Sequence, residues 1–502
     1  MIMPHDRVYD LVVIGGGING SGIACDAAGR GLSVALCEQG DLAGQTSSAS
    51  SKMIHGGLRY LENMEFRLVQ EALQEREVLM RNAPHLIDPL RLIMPHAPDH
   101  RPAWMIRAGL FLYDYLGTRQ TLPRSERFCL ANHPAGKVLN PVFKSAFAYS
   151  DCRVDDSRLV IANALTARGN GADILTRHRM ERAESRNGRW HITLRRMENG
   201  DRVKLTARAL VNAAGTAIET VLNAATIPRN KTRVRMVKGS HIVVPRVFEG
   251  SEAFLLQNPD GRVIFVIPFE RHFSMIGTTD IPVETPENGW AISAAETSYL
   301  CKSVNRYFQS QISPDDVTWS FSGVRSLFDD GEDDPSAVTR DYVLELEASP
   351  NTPPVLSVFG GKITTYRRLA EAAMDKLRPH FPGLGCAWTA YQPLAGGDFI
   401  AADKKALSNT LKVAYPKIPD YLLQALACRH GGWAARVLDN ARKIEDLGPN
   451  FGGGLTGREV DYLMTEEWAE TPEDILWRRT KAGLHMDAAG RQRLEDYMAT
   501  RT

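Results

Sequence analysis

The apolar run Leu11-Val12-Val13-Ile14 passes directly into Gly15-Gly16-Gly17-Ile18-Asn19-Gly20, and Glu38 closes the next apolar run, residues 32–37. No other feature constrains the fold as much, because strand, glycine turn, helix, second strand and terminal acid follow one another in the order of a dinucleotide-binding βαβ unit. Gly15 permits the tight turn, and Gly17 lets the backbone approach a pyrophosphate. Gly20 allows the helix to close onto the sheet, so that its N-terminus faces the phosphates. Glu38 stands 18 residues after Gly20. There its carboxylate can accept the two ribose hydroxyls, while a 2′-phosphate would be repelled. Ile23, Ala24, Ala27 and Ala28 give the helix a small-residue face, and Gly31 supplies its stop. The unit leaves NAD and FAD both open.

A chain of 502 residues accommodates roughly three domain-sized units. Its 60 basic and 59 acidic residues leave no global charge to draw nucleic acid. The seven cysteines (Cys25, Cys37, Cys129, Cys152, Cys301, Cys386, Cys428) are scattered without a CxxC pair. That pattern points to reduced thiols in the cytosol rather than a disulfide framework, and no metal site is expected. The first nine residues are too short and polar for a signal peptide. No stretch has the ~18 uninterrupted apolar residues of a spanning helix, so the expectation is a protein that is not integral but is free to lie on a membrane surface.

Along the chain, the spacing predicts a helix over 62–80 and a return to α/β pattern near Asp155, with a helix over 157–168. Residues 190–194 and 203–207 alternate like paired antiparallel strands, and residues 209–215 form an apolar strand ending on Gly215, suited to lie beside the first strand. Strands predominate from 233 to 355, interrupted by a helix near 294–308. Beyond about Pro393 the chain is charged and helical. The expected architecture is α/β: a Rossmann-like cofactor domain (1–75, 150–230, 340–385) interleaved with a mostly antiparallel α+β substrate domain (76–149, 231–339), followed by a helical C-terminal domain (386–502).

Three segments carry candidate chemistry. His55-Gly56-Gly57-Leu58-Arg59-Tyr60 places a titratable base, an anion clamp and a hydroxyl around two glycines. Gly323-Val324-Arg325 and Thr339-Arg340-Asp341 flank the acidic run 329–334, which reads as a solvated loop. In a pocket, Arg325 and Arg340 would hold a phosphate bidentately. Phe359-Gly360-Gly361-Lys362-Ile363-Thr364-Thr365-Tyr366 is a glycine-rich strand exit leading into a helix, with Thr364 or Thr365 as N-cap. Tyr366, Leu369, Ala370, Ala373 and Leu377 share one face of that helix.

GGGINGSGIACDAAGRGLSVALCE, TSSASSKMIHGGLRYLE, YSDCRVDDSRLVIANA, KGSHIVVPR, IGTTD, FSGVRSL, TRDY and LSVFGGKITTYRRLAE, in that order from about residue 8 to 377, resemble the FAD-dependent glycerol-3-phosphate dehydrogenases. These belong among the D-amino-acid-oxidase-like flavoproteins. A weaker similarity continues through Leu476-Trp477-Arg478-Arg479-Thr480-Lys481. The resemblance implies oxidation of sn-glycerol 3-phosphate to dihydroxyacetone phosphate by hydride transfer to FAD, with electrons passed to a membrane quinone. It implies that Gly15, Gly17, Gly20 and Glu38 hold the ADP half of FAD, with Thr46, Ser47, Ser48 and Ser51 close to the cofactor. Ala214, Gly215, Gly361 and Thr364 would approach the ribityl chain or isoalloxazine. Substrate contacts fall to His55, Arg59, Tyr60, Arg325, Arg340 and Lys362. On pKa grounds His55 is the better base, since arginine stays protonated, and Arg325 would stabilise the developing alkoxide.

The implied location is the cytoplasmic face of the inner membrane, and a homodimer is left open. Residues 101–116, apolar and aromatic with interspersed Arg, would either dip into the headgroup region or pack as an ordinary helix. Two departures from the family pattern stand out. Ser326 replaces a frequent proline after Arg325, and Gly215-Thr216-Ala217 replaces Gly-Pro-Trp. The competing functions are a glycerol-3-phosphate oxidase that uses oxygen and a non-catalytic flavin-binding regulatory protein.

Overall fold

The computed structural model describes residues 7–62, 64–97, 101–117, 121–225, 234–285, 290–328, 341–350, 352–399 and 403–501. Among them the expected βαβ unit forms the centre of an eight-stranded sheet. Val8–Ile14 pairs in parallel with Val34–Cys37 on one side and with Arg202–Asn212 on the other. Thr352–Phe359 adds in parallel beyond Arg202–Asn212, and Asp173–Leu175 adds beyond Val34–Cys37. Both faces of the central strands are buried, which explains their near-continuous apolar sequence. Helices Ile18–Gly29, Asp156–Gly169 and Tyr366–Leu377 cover one face through Ile23, Ala27, Leu159, Leu369 and Ala373. The other face is closed by the hairpin His178–Arg186/Arg189–Arg196, where Trp190, Ile192 and Leu194 pack against Val12, Ile14 and Leu210.

A second sheet, ten-stranded among the described residues, carries the mostly antiparallel region. Val234–Pro245 pairs with Trp319–Phe328 along almost its whole length, and Ile87–His96 pairs with Ser145–Val154 from end to end. The strand Met53–Ile54 also belongs here, paired with Cys152 and Arg153. Sheet membership therefore does not change at the expected boundaries of 75 and 149. The ten-residue register of Ser145–Val154 carries that strand to Val154, and the short Met53–Ile54 strand draws the His55 segment onto the same sheet.

The C-terminal region contains helices Lys404–Ala414, Asp420–His430, Gly457–Glu466 and Ala488–Ala499, with their own apolar clusters around Leu422, Leu426 and Val437 and around Leu455, Leu463 and Leu494. The helix expected over 62–80 runs Phe66–Asn82 instead, because residues 58–61 first make a 3₁₀ turn after Gly57, whose φ is +73°. None of the seven cysteines is paired.

Candidate active site

One cavity of about 850 Å³ runs between the two sheets. Its first end is the glycine turn. A Cβ on Gly20 would sit 1.9 Å from the Gly15 carbonyl oxygen, and one on Gly15 2.4 Å from that of Ala213, so turn, helix and neighbouring strand close on each other only because these positions lack side chains. Gly17 lines the cavity at the N-terminus of helix Ile18–Gly29. Ser47 Oγ accepts the Ile18 N–H at 2.9 Å, so the Thr46–Ser48 turn is moored to that terminus. Glu38 accepts from the Gly16 N–H at 2.7 Å and the Gly40 N–H at 2.8 Å. Burial nonetheless leaves its carboxyl above the ordinary value.

The middle of the cavity is walled by the polar loop and the strand Trp319–Phe328. Thr46 Oγ1 donates to the Val324 carbonyl at 2.6 Å. Ser51 Oγ lies 2.9 Å from Nε2 of His241, a buried ring stacked on Phe321 at 4.9 Å. A Cβ on Gly277 would stand 2.2 Å from that ring, so glycine there is what admits the imidazole. Burial, with Arg325 and Lys52 nearby, pushes the His241 pKa down to about 3, and the ring is neutral at working pH.

The far end gathers the candidate reactive groups. His55, Arg59, Tyr60, Arg325, Lys362 and Thr364 all line the cavity, while Ala214 and Gly215 line it next to Gly15 and Gly361 lines it next to Asn19. The Lys362 ammonium nitrogen is buried without a hydrogen-bond partner among the described residues and sits 3.8 Å from the Tyr60 ring centroid. Arg325 Nη1 donates to Asp280 Oδ1 at 2.9 Å. Burial lowers the His55 pKa, Asp151 opposes that shift, and Lys362 and Arg325 reinforce it, so the imidazole is a neutral acceptor near pH 7. The His55 N–H donates to Thr364 Oγ1 at 3.2 Å. Thr364 thus serves the His55 segment, while Thr365 takes the N-cap position of helix Tyr366–Leu377 without a side-chain cap bond.

The cavity therefore brings together Gly15, Gly17, Glu38, Thr46, Ser47, Ser51, His55, Arg59, Tyr60, Ala214, Gly215, Arg325, Gly361, Lys362 and Thr364. Gly20 lies beneath the turn rather than on the wall. Ser48 is turned away: its hydroxyl donates to the Gln45 carbonyl at 3.1 Å and its own carbonyl accepts from Lys52 Nζ. Arg340 and the acidic run 329–334 lie outside the described residues. Sequence reasoning missed Asn19, whose Nδ2 donates to the Gly360 carbonyl at 3.0 Å and ties the two glycine turns together. It also missed His241. His241 stands inside the KGSHIVVPR motif, but its partner Ser51 is 190 positions away.

The donor set fits FAD. A helix N-terminus with Gly15 and Gly17 on the cavity wall would suit a pyrophosphate, the Glu38 carboxylate lines the cavity beside them, and the Lys362 ammonium, without a hydrogen-bond partner among the described residues, would suit an anionic group.

Residues 10–367 match the family model described as FAD dependent oxidoreductase, and residues 387–500 match the C-terminal domain of alpha-glycerophosphate oxidase. A glycerol-3-phosphate dehydrogenase of Pseudomonas aeruginosa is 50% identical over 495 residues, covering 99% of this chain and 96% of the relative. A D-erythritol 1-phosphate dehydrogenase of Brucella abortus is 48% identical over 489 residues, covering 97% of each. Among solved structures, the glycerol-3-phosphate dehydrogenase of Bacillus halodurans complexed with FAD superimposes with a TM-score of 0.76 at 25% identity, covering 99% of this chain and 91% of that one.

Proposed function

Because the chain belongs to the FAD-dependent oxidoreductase family, we propose that it oxidises sn-glycerol 3-phosphate to dihydroxyacetone phosphate and passes the electrons to a membrane quinone. The observation that carries this reading is the approach of two cations to His55 in the cavity: Arg325 and the Lys362 ammonium, which is buried without a hydrogen-bond partner among the described residues. A phosphate monoester carrying nearly two charges needs such cations, and a secondary alcohol needs a base.

FAD, when bound, supplies the acceptor for the C2 hydride and both electrons of the C–H bond. His55 takes the C2 hydroxyl proton on its neutral imidazole as the carbonyl forms. Arg325 stabilises the negative charge that develops on that oxygen. Lys362 and Arg59 hold the phosphate, and Tyr60 offers a hydroxyl and a ring face to the same cavity. Ser51, held by His241, keeps the polar loop against the cofactor.

A second reading of the substrate rests on the Brucella relative, whose name specifies a phosphorylated polyol one carbon longer. Anaerobic mixing with sn-glycerol 3-phosphate and, separately, D-erythritol 1-phosphate decides between them: the true substrate bleaches the visible flavin band in milliseconds to seconds. Bleaching by neither would overturn the dehydrogenase assignment. Competing oxygen against a soluble quinone analogue for the reduced protein then separates dehydrogenase from oxidase.

The helix Ala103–Tyr115 supports a peripheral membrane position. It buries Ile106, Leu110 and Tyr113 but exposes Trp104 (70%), Met105, Phe111 (58%), Leu112 and Tyr115, with Arg101 and Arg107 alongside. Both readings of the segment are thus accommodated, one by each face of the helix, and the outer face suits the headgroup region. No helix among the described residues is long and apolar enough to cross a membrane.

A further inference from the structure

The segment Trp477-Arg478-Arg479-Thr480-Lys481 has no part in the reaction just described, yet it bonds the loop that carries Glu38, Thr46, Ser47 and Ser51 directly near its start and braces the residues that hold its far end. At the first end, Arg479 is fully buried and makes a bidentate pair with Asp41: Nη1 donates to Oδ2 at 2.9 Å and Nη2 to Oδ1 at 2.7 Å. Arg478 Nε adds a third bond to Asp41 at 2.5 Å. Asp41 lies three residues past Glu38, and two residues further on the Ala43 N–H donates to the Gly16 carbonyl at 3.0 Å, so this pairing sets the loop against the glycine turn itself.

At the other end, Lys481 Nζ donates to Asp155 Oδ1 and Ser157 Oγ, each at 2.6 Å. The neighbouring Asp156 accepts from Lys52 Nζ at 2.7 Å and from Ser50 Oγ at 2.7 Å. Lys52 Nζ in turn donates to the Ser48 carbonyl at 2.8 Å. Trp477 stacks on Trp319, ring centroids 4.7 Å apart and planes at 19°. Trp319 opens the strand whose Val324 carbonyl receives Thr46. One short stretch of the C-terminal region therefore fixes the beginning of the cofactor loop, its end, and the strand against its middle.

Bidentate pairing of guanidinium with carboxylate is directional, and with water excluded it is satisfied in one loop conformation only. We propose that this segment is a clamp whose docking is thermodynamically coupled to FAD binding, because both require the same conformation of the loop from Glu38 to Lys52. Arg479, Lys481 and Trp477 are positioning residues: they reach the cofactor through Asp41, Asp155 and Trp319. Reciprocity follows, so FAD strengthens docking of the segment by the factor by which docking tightens FAD. The inference rests on the reading that this loop holds FAD.

The test measures FAD dissociation from full-length Arg479→Met, Arg479→Lys, Lys481→Met and Trp477→Phe proteins by recovery of free-flavin fluorescence. Each apoprotein and holoprotein is also melted. The expected result is an FAD Kd raised about tenfold or more in Arg479→Met and Lys481→Met, partly restored in Arg479→Lys, with the FAD-induced rise in melting temperature reduced accordingly. A purely structural link would lower the apo and holo melting temperatures equally and leave the Kd alone. If Arg479→Met does not fold, Lys481→Met and Trp477→Phe carry the test. A Kd within twofold of the parent in those folded variants overturns the clamp. Failure of the parent protein itself to bind FAD would instead overturn the cofactor reading.

Discussion

Replacing Tyr113 by Phe removes one oxygen atom from behind the proposed base. The Tyr113 hydroxyl donates to Asp151, 2.7 and 2.8 Å from its two carboxylate oxygens, and accepts the Gly56 N–H at 2.8 Å. Burial and the adjacent carboxylate raise its pKa, so the phenol remains a donor. Gly56 follows His55 directly, and the His55 N–H is already committed to Thr364. The two bonds hold the peptide groups on either side of the His55 Cα. Without the hydroxyl, the Gly56 N–H keeps only its 3.3 Å contact to Asp151, and Asp151 keeps Arg76 at 2.7 Å but loses its shortest neutral donor. Loss of a buried hydrogen bond to a charged group costs about 1.5–3 kcal/mol, and a base misplaced by ~1 Å costs up to about 100-fold in rate. Tyr113→Phe should therefore fold, retain FAD, melt at a lower temperature, and be reduced by substrate roughly 10- to 100-fold more slowly. Anaerobic stopped-flow reduction is the assay. A reduction rate within twofold of the parent at full flavin content would refute the argument that Tyr113 positions the base.

Three further outcomes follow from the charges. His55→Asn should slow reduction by substrate by about 100-fold or more while leaving FAD bound. In the parent, because the His55 pKa is depressed below 6.5, the rate should stay flat through neutrality and fall only on the acid side of that value; a fall beginning above pH 7 would count against His55. Burial would raise the Glu296 carboxyl, but Lys238 at 2.7 Å and the surrounding serines bring it down to about 2. The folded-state pKa lies below the unfolded value of about 4.5, so its stabilisation is complete above that pH and is lost as pH falls toward 2. Glu296→Gln should flatten the dependence of urea midpoint on pH in that window, and an unchanged slope would remove Glu296 as its source.

How much of this could be read in advance depended on how far apart the partners lie. The unit from Gly15 to Glu38 was legible because its determinants are local: the steric need for glycine, the apolar strands and the terminal acid all fall within one supersecondary motif. The cofactor class was not legible there, and it came instead from blocks that the fold assembles later. Thr364 was legible as a polar residue at a helix start, but its task is to receive the His55 N–H from another sheet, and no local pattern encodes that pairing. Ser48 shows the converse. It shares the composition of its neighbours Ser47 and Ser51, yet the turn over 46–48 rotates it away from the cavity. Asp151 and Tyr113 escaped notice because a buried carboxylate on a strand and a tyrosine in an apolar helix have no signature until long-range pairing places them behind Gly56.

The helix Ala103–Tyr115 now carries two faces with separable consequences. Its outer face presents Trp104, Phe111 and Tyr115 to solvent, while its inner face sends Tyr113 to Gly56. If the outer face seats the protein on a bilayer, Trp104→Asp with Phe111→Asp should weaken co-sedimentation with anionic vesicles by tenfold or more, since each buried aromatic contributes about 1.5–3 kcal/mol. Reduction of the flavin by substrate should be unchanged, because neither side chain belongs to the bonds around Gly56. Turnover with a membrane-embedded quinone should fall, and turnover with a soluble analogue should not. Tyr113→Phe should show the opposite split: slow reduction by substrate with vesicle binding intact. Should the double aspartate variant slow substrate reduction as well, the two faces are mechanically joined through the helix, whose inner face bonds the His55 segment through Tyr113. Undiminished vesicle binding by that variant would instead remove this helix as the docking surface.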